Sequence, residues 1–195
     1  MDRDRLLRLI DEAVREGYTE LDLRDHGITE LPSEIGRLTT LESLNLGHEP
    51  DASGEYNRLT TLPPEIGMLT ALRSLDLNSN RLTTLPPEIG QLTALQTLDL
   101  SNNQLTILSS EIGQLTVLQS LDLSNNSLTG LPPEIGRLTT LQRLLLHQNQ
   151  LTALPVEIGQ LTALQEFSLS LDRMPDLPKM FGQLTALQAL SLNLN

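Results

Sequence analysis

Apolar residues recur along this chain at a fixed spacing. From Leu72 the order is Leu72, Leu75, Leu77, then Asn80, Leu82, Leu85, Pro86, Ile89, Gly90 and Leu92. The same order returns 23 residues later, from Leu95 through Asn103 and Ile112 to Leu115, and again from Leu118 and from Leu141. The unit from Leu41 fits once eight residues, Glu49 to Tyr56, are looped out before Asn57. A degenerate unit opens at Tyr18, a divergent one runs from Leu164 to Ala186, and a last one starts at Leu187 and stops at Asn195. A period of this length marks a supersecondary unit that cannot bury its apolar face alone and must stack on its neighbours.

Each position predicts a piece of structure. The alternation in L-x-x-L-x-L turns leucines to one side and x residues to the other, which makes one short strand per unit. Stacked units then form a parallel sheet at ~4.8 Å per strand. Asn57, Asn80, Asn103, Asn126 and Asn149 carry donors and an acceptor that can satisfy backbone groups in the turn leaving the strand. In the Pro-Pro-Glu-Ile-Gly segment, proline presets a first helical position and glutamate sits at a positive helix end. Its glycine is expected to supply conformational freedom for the turn. Ahead of the repeats, Leu6, Leu9, Ile10, Ala13 and Val14 recur at helical spacing, with Asp2 or Asp4 as the cap. That predicts an amphipathic helix over residues 1–17 sealing the first unit, followed by about eight units over 18–195 with the last truncated.

The repeated L-x-x-L-x-L-x-x-N-x-L-T-x-L-P-x-E-I-G-x-L-T-x resembles the leucine-rich repeat family over residues 18–195. The Leu-Pro-x-Glu-Ile-Gly variant is similar to the intracellular 23-residue subclass, as in bacterial Roco-type and Ras-group proteins. The resemblance implies an α/β fold, a right-handed horseshoe solenoid with the sheet on its concave face and short helices or turns on its convex face. It also implies protein–protein recognition rather than catalysis. The GTPase that follows such repeats in Roco-type proteins has no counterpart here, because no G-x-x-x-x-G-K-[ST] loop occurs.

Composition narrows the classes. Leucine supplies 47 of 195 residues, and 13 Lys+Arg stand against 25 Asp+Glu for a net charge of −12. Lys179 is the one lysine. That balance argues against a nucleic-acid or anionic-membrane partner, each of which needs cations to meet phosphates. With no cysteine, a disulfide scaffold, a thiolate zinc site and a cysteine nucleophile are excluded. The three histidines fall in different units, so neither a metal site nor a cofactor is expected. The opening residues lack the unbroken apolar core of a secretory signal, which predicts a cytoplasmic protein.

The informative residues are the x positions of the strands. One column reads Asp22, Asn45, Asp76, Asp99, Asp122, Leu145, Ser168, Ser191. Its carboxylates suggest a strip for a partner with a basic segment. A plainer account also fits, in which Leu-Asp-Leu is simply the consensus of the repeat, kept for solubility. In the unit from Leu141 the exposed positions become Arg143, Leu145 and His147, with Leu171 close by in the next unit. An apolar residue beside an arginine within a polar rim suggests an interface anchor, whereas drift near a divergent unit explains it equally well. Tyr56, in the inserted loop, is a candidate contact. Leu187, Leu190, Leu192 and Leu194 form a strand with no polar unit after it. Its open edge gives the alternative function, an assembly segment of a larger protein that pairs as a homodimer through Leu190, Leu192 and Leu194.

Overall fold

The structure is a computed structural model of the chain and describes residues 1–48, 55–170 and 182–193. A helix, α1 (Arg3–Glu16), is followed by eight strands: β1 (Glu20–Asp22), β2 (Ser43–Asn45), β3 (Ser74–Asp76), β4 (Thr97–Asp99), β5 (Ser120–Asp122), β6 (Arg143–Leu146), β7 (Glu166–Ser170) and β8 (Ala189–Asn193). All eight lie parallel in one open sheet, each beside its neighbour in sequence. Between strands, six 3-10 helices run along the opposite side, for example Pro64–Met68 and Pro133–Arg137. Strands pack more closely than these helices do, so the stack curves into a horseshoe with the sheet inside.

The predicted alternation holds in the three-residue strands β1 to β5. Leu44, Leu75, Leu98 and Leu121 point inward at the middle of β2 to β5 and are buried. They meet Leu72, Leu82, Ile89 and Leu92 and their equivalents in one contiguous core that also takes Leu6, Ile10 and Ala13 of α1. The helix is thus fused to the first coil by the same hydrophobic contacts that join coil to coil. Asp2 caps it, accepting from the Arg5 backbone N–H at 2.8 Å. Gly17 ends it in the left-handed conformation, φ 66°, where a side chain would be strained.

The asparagines do more than close their own turns. Asn126 Oδ1 accepts from the Leu105 N–H of the preceding coil at 2.9 Å. Its Nδ2 donates to Leu100 O of that coil at 2.9 Å and to Leu123 O of its own coil at 3.1 Å. Asn80, Asn103 and Asn149 repeat the pattern, and Asn57 makes it across the insertion to Ile28, Leu23 and Leu46. One buried side chain per coil therefore satisfies backbone groups from two coils, and carbonyls such as Leu100 O and Leu123 O each accept from two successive asparagines.

The glycine of Glu-Ile-Gly has a different purpose from the one its sequence suggests. Gly36, Gly67, Gly90, Gly113 and Gly136 do not adopt positive φ. Each instead lies against the next coil: a Cβ on Gly113 would stand 2.6 Å from Glu134 O and 2.8 Å from Glu134 Cβ. The requirement is close approach of backbones, not turn freedom. Proline behaves as expected, with Pro64, Pro87 and Pro133 at the first helical positions. Phe167 of the divergent unit is fully buried, while Asp172, Met174, Met180 and Phe181 lie outside the described residues.

Two substitutions test these roles. Asn126→Ala strands the buried Leu105 N–H and takes one of two donors from Leu100 O and Leu123 O, and should lower stability by about 2 kcal/mol in chemical denaturation. Gly113→Ala should be destabilising by about 1–3 kcal/mol through backbone overlap. Gly130→Ala, which would meet nothing within 4 Å, should be neutral or slightly stabilising. Equal behaviour of the two glycine variants would refute the close-approach account.

Candidate interaction face

Strand register fixes the columns on the concave face. Asp22 pairs with Asn45, Asn45 with Asp76, Asp76 with Asp99, Asp99 with Asp122, Asp122 with Leu145, Leu145 with Ser168, and Ser168 with Ser191. Asp76, Asp99 and Asp122 are therefore direct neighbours on adjacent strands.

Each of these carboxylates has a local structural task that the sequence pattern did not reveal. Asp99 Oδ1 accepts from the Ser101 N–H at 2.9 Å and from its hydroxyl at 2.7 Å. Asp122 does the same with Ser124 at 2.9 and 2.6 Å. Asp76 accepts from the Asn78 N–H and its Nδ2, both at 2.9 Å. These bonds hold the chain as it leaves the strand. The charge, however, is dispensable for them: Asn45, in the same column, accepts from the Gly47 N–H at 3.0 Å. Asp22, by contrast, is neutralised by Arg24, whose Nη2 lies 2.8 Å away, and this bonding holds the Asp22 carboxyl below its ordinary value. Among the described residues no cation pairs with Asp76, Asp99 or Asp122. Burial pushes the Asp76 and Asp99 carboxyls above the ordinary 3.8, and for Asp99 the adjoining Asp122 and Asp76 add to the rise against the opposing hydrogen bonds.

The unit from Leu141 is less open than its sequence implies. Leu145 is only 6 % exposed although it lies outside the contiguous leucine core. It therefore offers a partner little apolar area in this conformation. Arg143 forms an ion pair with Glu166 of β7 at 3.0 Å. His147 Nδ1 bonds Ser168 Oγ at 2.8 Å. Leu171 and Leu194 lie outside the described residues. Leu190 on β8 is 44 % exposed, at a position whose partner in register, Phe167, is fully buried. Leu192 is partly buried against the core.

Residues 49–54 of the insertion also lie outside the described residues, but its anchor is well defined. Tyr56 is 52 % exposed, and its ring rests on His48 with centroids 3.9 Å apart. His48 Nδ1 contacts Asp25 Oδ1 at 2.5 Å, with both side chains largely buried. His26 uses Nδ1 on the Arg24 carbonyl, a turn contact as expected. The His48–Asp25 pair escaped the sequence reading. Its signal was that the two residues stand 23 apart, one repeat, and so face each other across adjacent coils. No group of three or more His, Cys, Asp or Glu side chains arranged for a metal occurs among the described residues. No helix of the described residues is long and apolar enough to cross a membrane.

Comparison with known proteins matches this architecture. The profile of the family described as leucine-rich repeat region matches residues 59–126 and 97–195. A leucine-rich repeat protein of Leptospira interrogans superposes with a TM-score of 0.73 and 38 % identity over 93 % of this chain and 52 % of its own. An internalin of Listeria monocytogenes gives a TM-score of 0.79 at 22 % identity, over 96 % of this chain and 55 % of its own. The ectodomain of the plant membrane receptor kinase GASSHO1/SCHENGEN3 from Arabidopsis thaliana, solved in complex with CASPARIAN STRIP INTEGRITY FACTOR 2, gives 0.59 at 29 % identity, over 93 % of this chain and 25 % of its own. This chain thus spans about half the length of the first two structures or less of the third. No curated protein matches it.

The raised carboxyls give a pH prediction. An acid whose value is raised on folding binds more protons in the native state than unfolded, so stability falls as pH rises from 3.8 through the raised value and then stays level. Asp99→Asn keeps an acceptor for the Ser101 hydrogen bonds and removes the buried charge. The variant should be more stable than the parent at pH 7, and the difference should vanish as pH approaches 3.8. A variant that loses stability at pH 7 would show that the carboxylate charge itself holds the turn.

Proposed function

The chain belongs to the leucine-rich repeat family, whose members are generally protein-interaction scaffolds, and from that premise we propose that its concave face binds a protein partner bearing a basic segment. The observation that carries this reading is the run Asp76, Asp99, Asp122. Three carboxylates adjoin one another in register, and two of them, Asp76 and Asp99, carry a charge that burial disfavours, in a turn bond that the amide of Asn45 makes without one. Arginine or lysine side chains laid across β3 to β5 relieve that repulsion and gain charge-assisted hydrogen bonds. A precedent is the Arabidopsis thaliana ectodomain, solved in complex with CASPARIAN STRIP INTEGRITY FACTOR 2.

The rest of the proposed face is subordinate. Arg143, Leu145, His147 and Leu171 would border the strip on its C-terminal side. Tyr56 would flank the other side as an exposed aromatic already fixed on His48, with little entropy left to lose on binding. The role is that of a non-catalytic cytoplasmic scaffold in signalling. A concave sheet eight strands across is wide enough for a standard interface of ~800 Å² on one partner.

Association with an arginine-rich probe peptide should slow at least tenfold between low and high salt, as electrostatic steering requires. The triple change Asp76→Asn, Asp99→Asn, Asp122→Asn should abolish that salt dependence while the melting temperature stays level or rises. A rate that ignores both salt and the triple change excludes the strip from binding.

A second reading rests on β8. Among the described residues no further strand adjoins its outer side, and Leu190 is exposed where the equivalent side chains of inner strands are buried. Leu190 and Leu192, with Leu194, would then pair with a second copy. Light scattering over a concentration series should show a dimer that Leu192→Lys converts to monomer. A monomer at every concentration removes this reading and leaves the concave face untouched.

A further inference from the structure

Between α1 and the turn that leaves β1 lies a cleft of about 520 Å³ lined by Met1, Arg5, Arg8, Leu9, Glu12 and His26. Arg5, Arg8, Leu9 and Glu12 fall at helical spacing on one stripe of α1. We infer that this cleft is a binding site for a small oxyanion-bearing ligand, held by the Arg5 and Arg8 guanidinium groups with His26 at its wall.

The charges around it point the same way. Four neighbouring arginines are committed: Arg3 to Glu34, Arg15 to Glu16, Arg24 to Asp22 and Arg37 to Asp11. Arg5 and Arg8 form no ion pair among the described residues, although the chain has nearly two acids for each base. Among the described residues Glu12 is the one carboxylate in the cleft wall, and it accepts from the Tyr18 hydroxyl at 3.2 Å. That contact raises the Tyr18 hydroxyl above its ordinary value, and against this single carboxylate the cleft wall sets two guanidinium groups. His26, oriented by its Nδ1 contact to the Arg24 carbonyl, lines the cleft. Two planar forks three residues apart suit the oxygens of a phosphate or a carboxylate. Leu9 adds an apolar wall, and the volume lies within the range of small-ligand sites. This site draws on α1 and the turn after β1, not on β3 to β5, and does not depend on the reading of the acidic strip.

Titration of the full chain with inorganic phosphate, followed by NMR of the imidazole and guanidinium groups, tests the inference, with sodium chloride at matched ionic strength as reference and acetate as a second arm. Phosphate should shift His26, Arg5 and Arg8 in a saturable way. Arg5→Gln with Arg8→Gln should weaken it at least tenfold, while Arg58→Gln leaves it unchanged. Saturation by phosphate with acetate silent assigns a phosphate group, and saturation by acetate assigns a carboxylate. Shifts no larger than those from chloride, or equal loss in Arg58→Gln, would overturn the site. Both arginine changes lie on an exposed helix face, and an unchanged circular dichroism melt confirms that the fold is kept.

Discussion

One buried asparagine per coil is the contact on which this molecule depends. Leucine burial drives the coils together, but it is non-directional and would tolerate many relative placements. The asparagine is directional. With its Oδ1 on an N–H of the preceding coil and its Nδ2 on carbonyls of both coils, as in Asn103 and Asn126, it fixes the offset of one unit on the next. Buried polar groups left without partners would cost more than the bonds gain, so the placement is specified rather than merely favoured.

Register follows from that offset, and the concave columns follow from register. Charge that is held by a rigid sheet needs no rearrangement when a partner arrives. The carboxylates of Asp76 and Asp99 are fixed a second time by the hydrogen bonds at the start of the following turn. Their repulsion is a standing cost in the free protein, and relief of that cost on binding is the physical core of the functional proposal. The family resemblance supplies the kind of function, and this geometry supplies the kind of partner.

Much of the architecture was legible in the sequence because it rests on repetition. Strand positions, parallel order, the asparagine turn and the helix capped at Asp2 all follow from spacing and side-chain chemistry. What escaped depends on contacts between coils. Gly113 reads as a turn residue, yet it is glycine because Glu134 of the next coil lies against it. Asp99 reads as an exposed acid, yet it bonds Ser101 two residues on. Leu145 reads as an exposed anchor and is largely buried. Arg143 reads as an open cation and meets Glu166 across the sheet. The repeat also hides a recurrent strain: Ser79, Asn102, Asn125 and Gln148 share positive φ just before the asparagine, a conformation that asparagine tolerates better than serine or glutamine.

Amide hydrogen exchange reads the coil-to-coil asparagine contact most directly. The backbone N–H groups of Leu59, Leu82, Leu105 and Leu128 lie outside the strands and are each bonded to the Oδ1 of the next coil's asparagine. They should exchange as slowly as the strand amides Leu75, Leu98 and Leu121. Exchange at the rate of open turns would contradict the account, because the asparagine would then not hold the offset of one coil on the next.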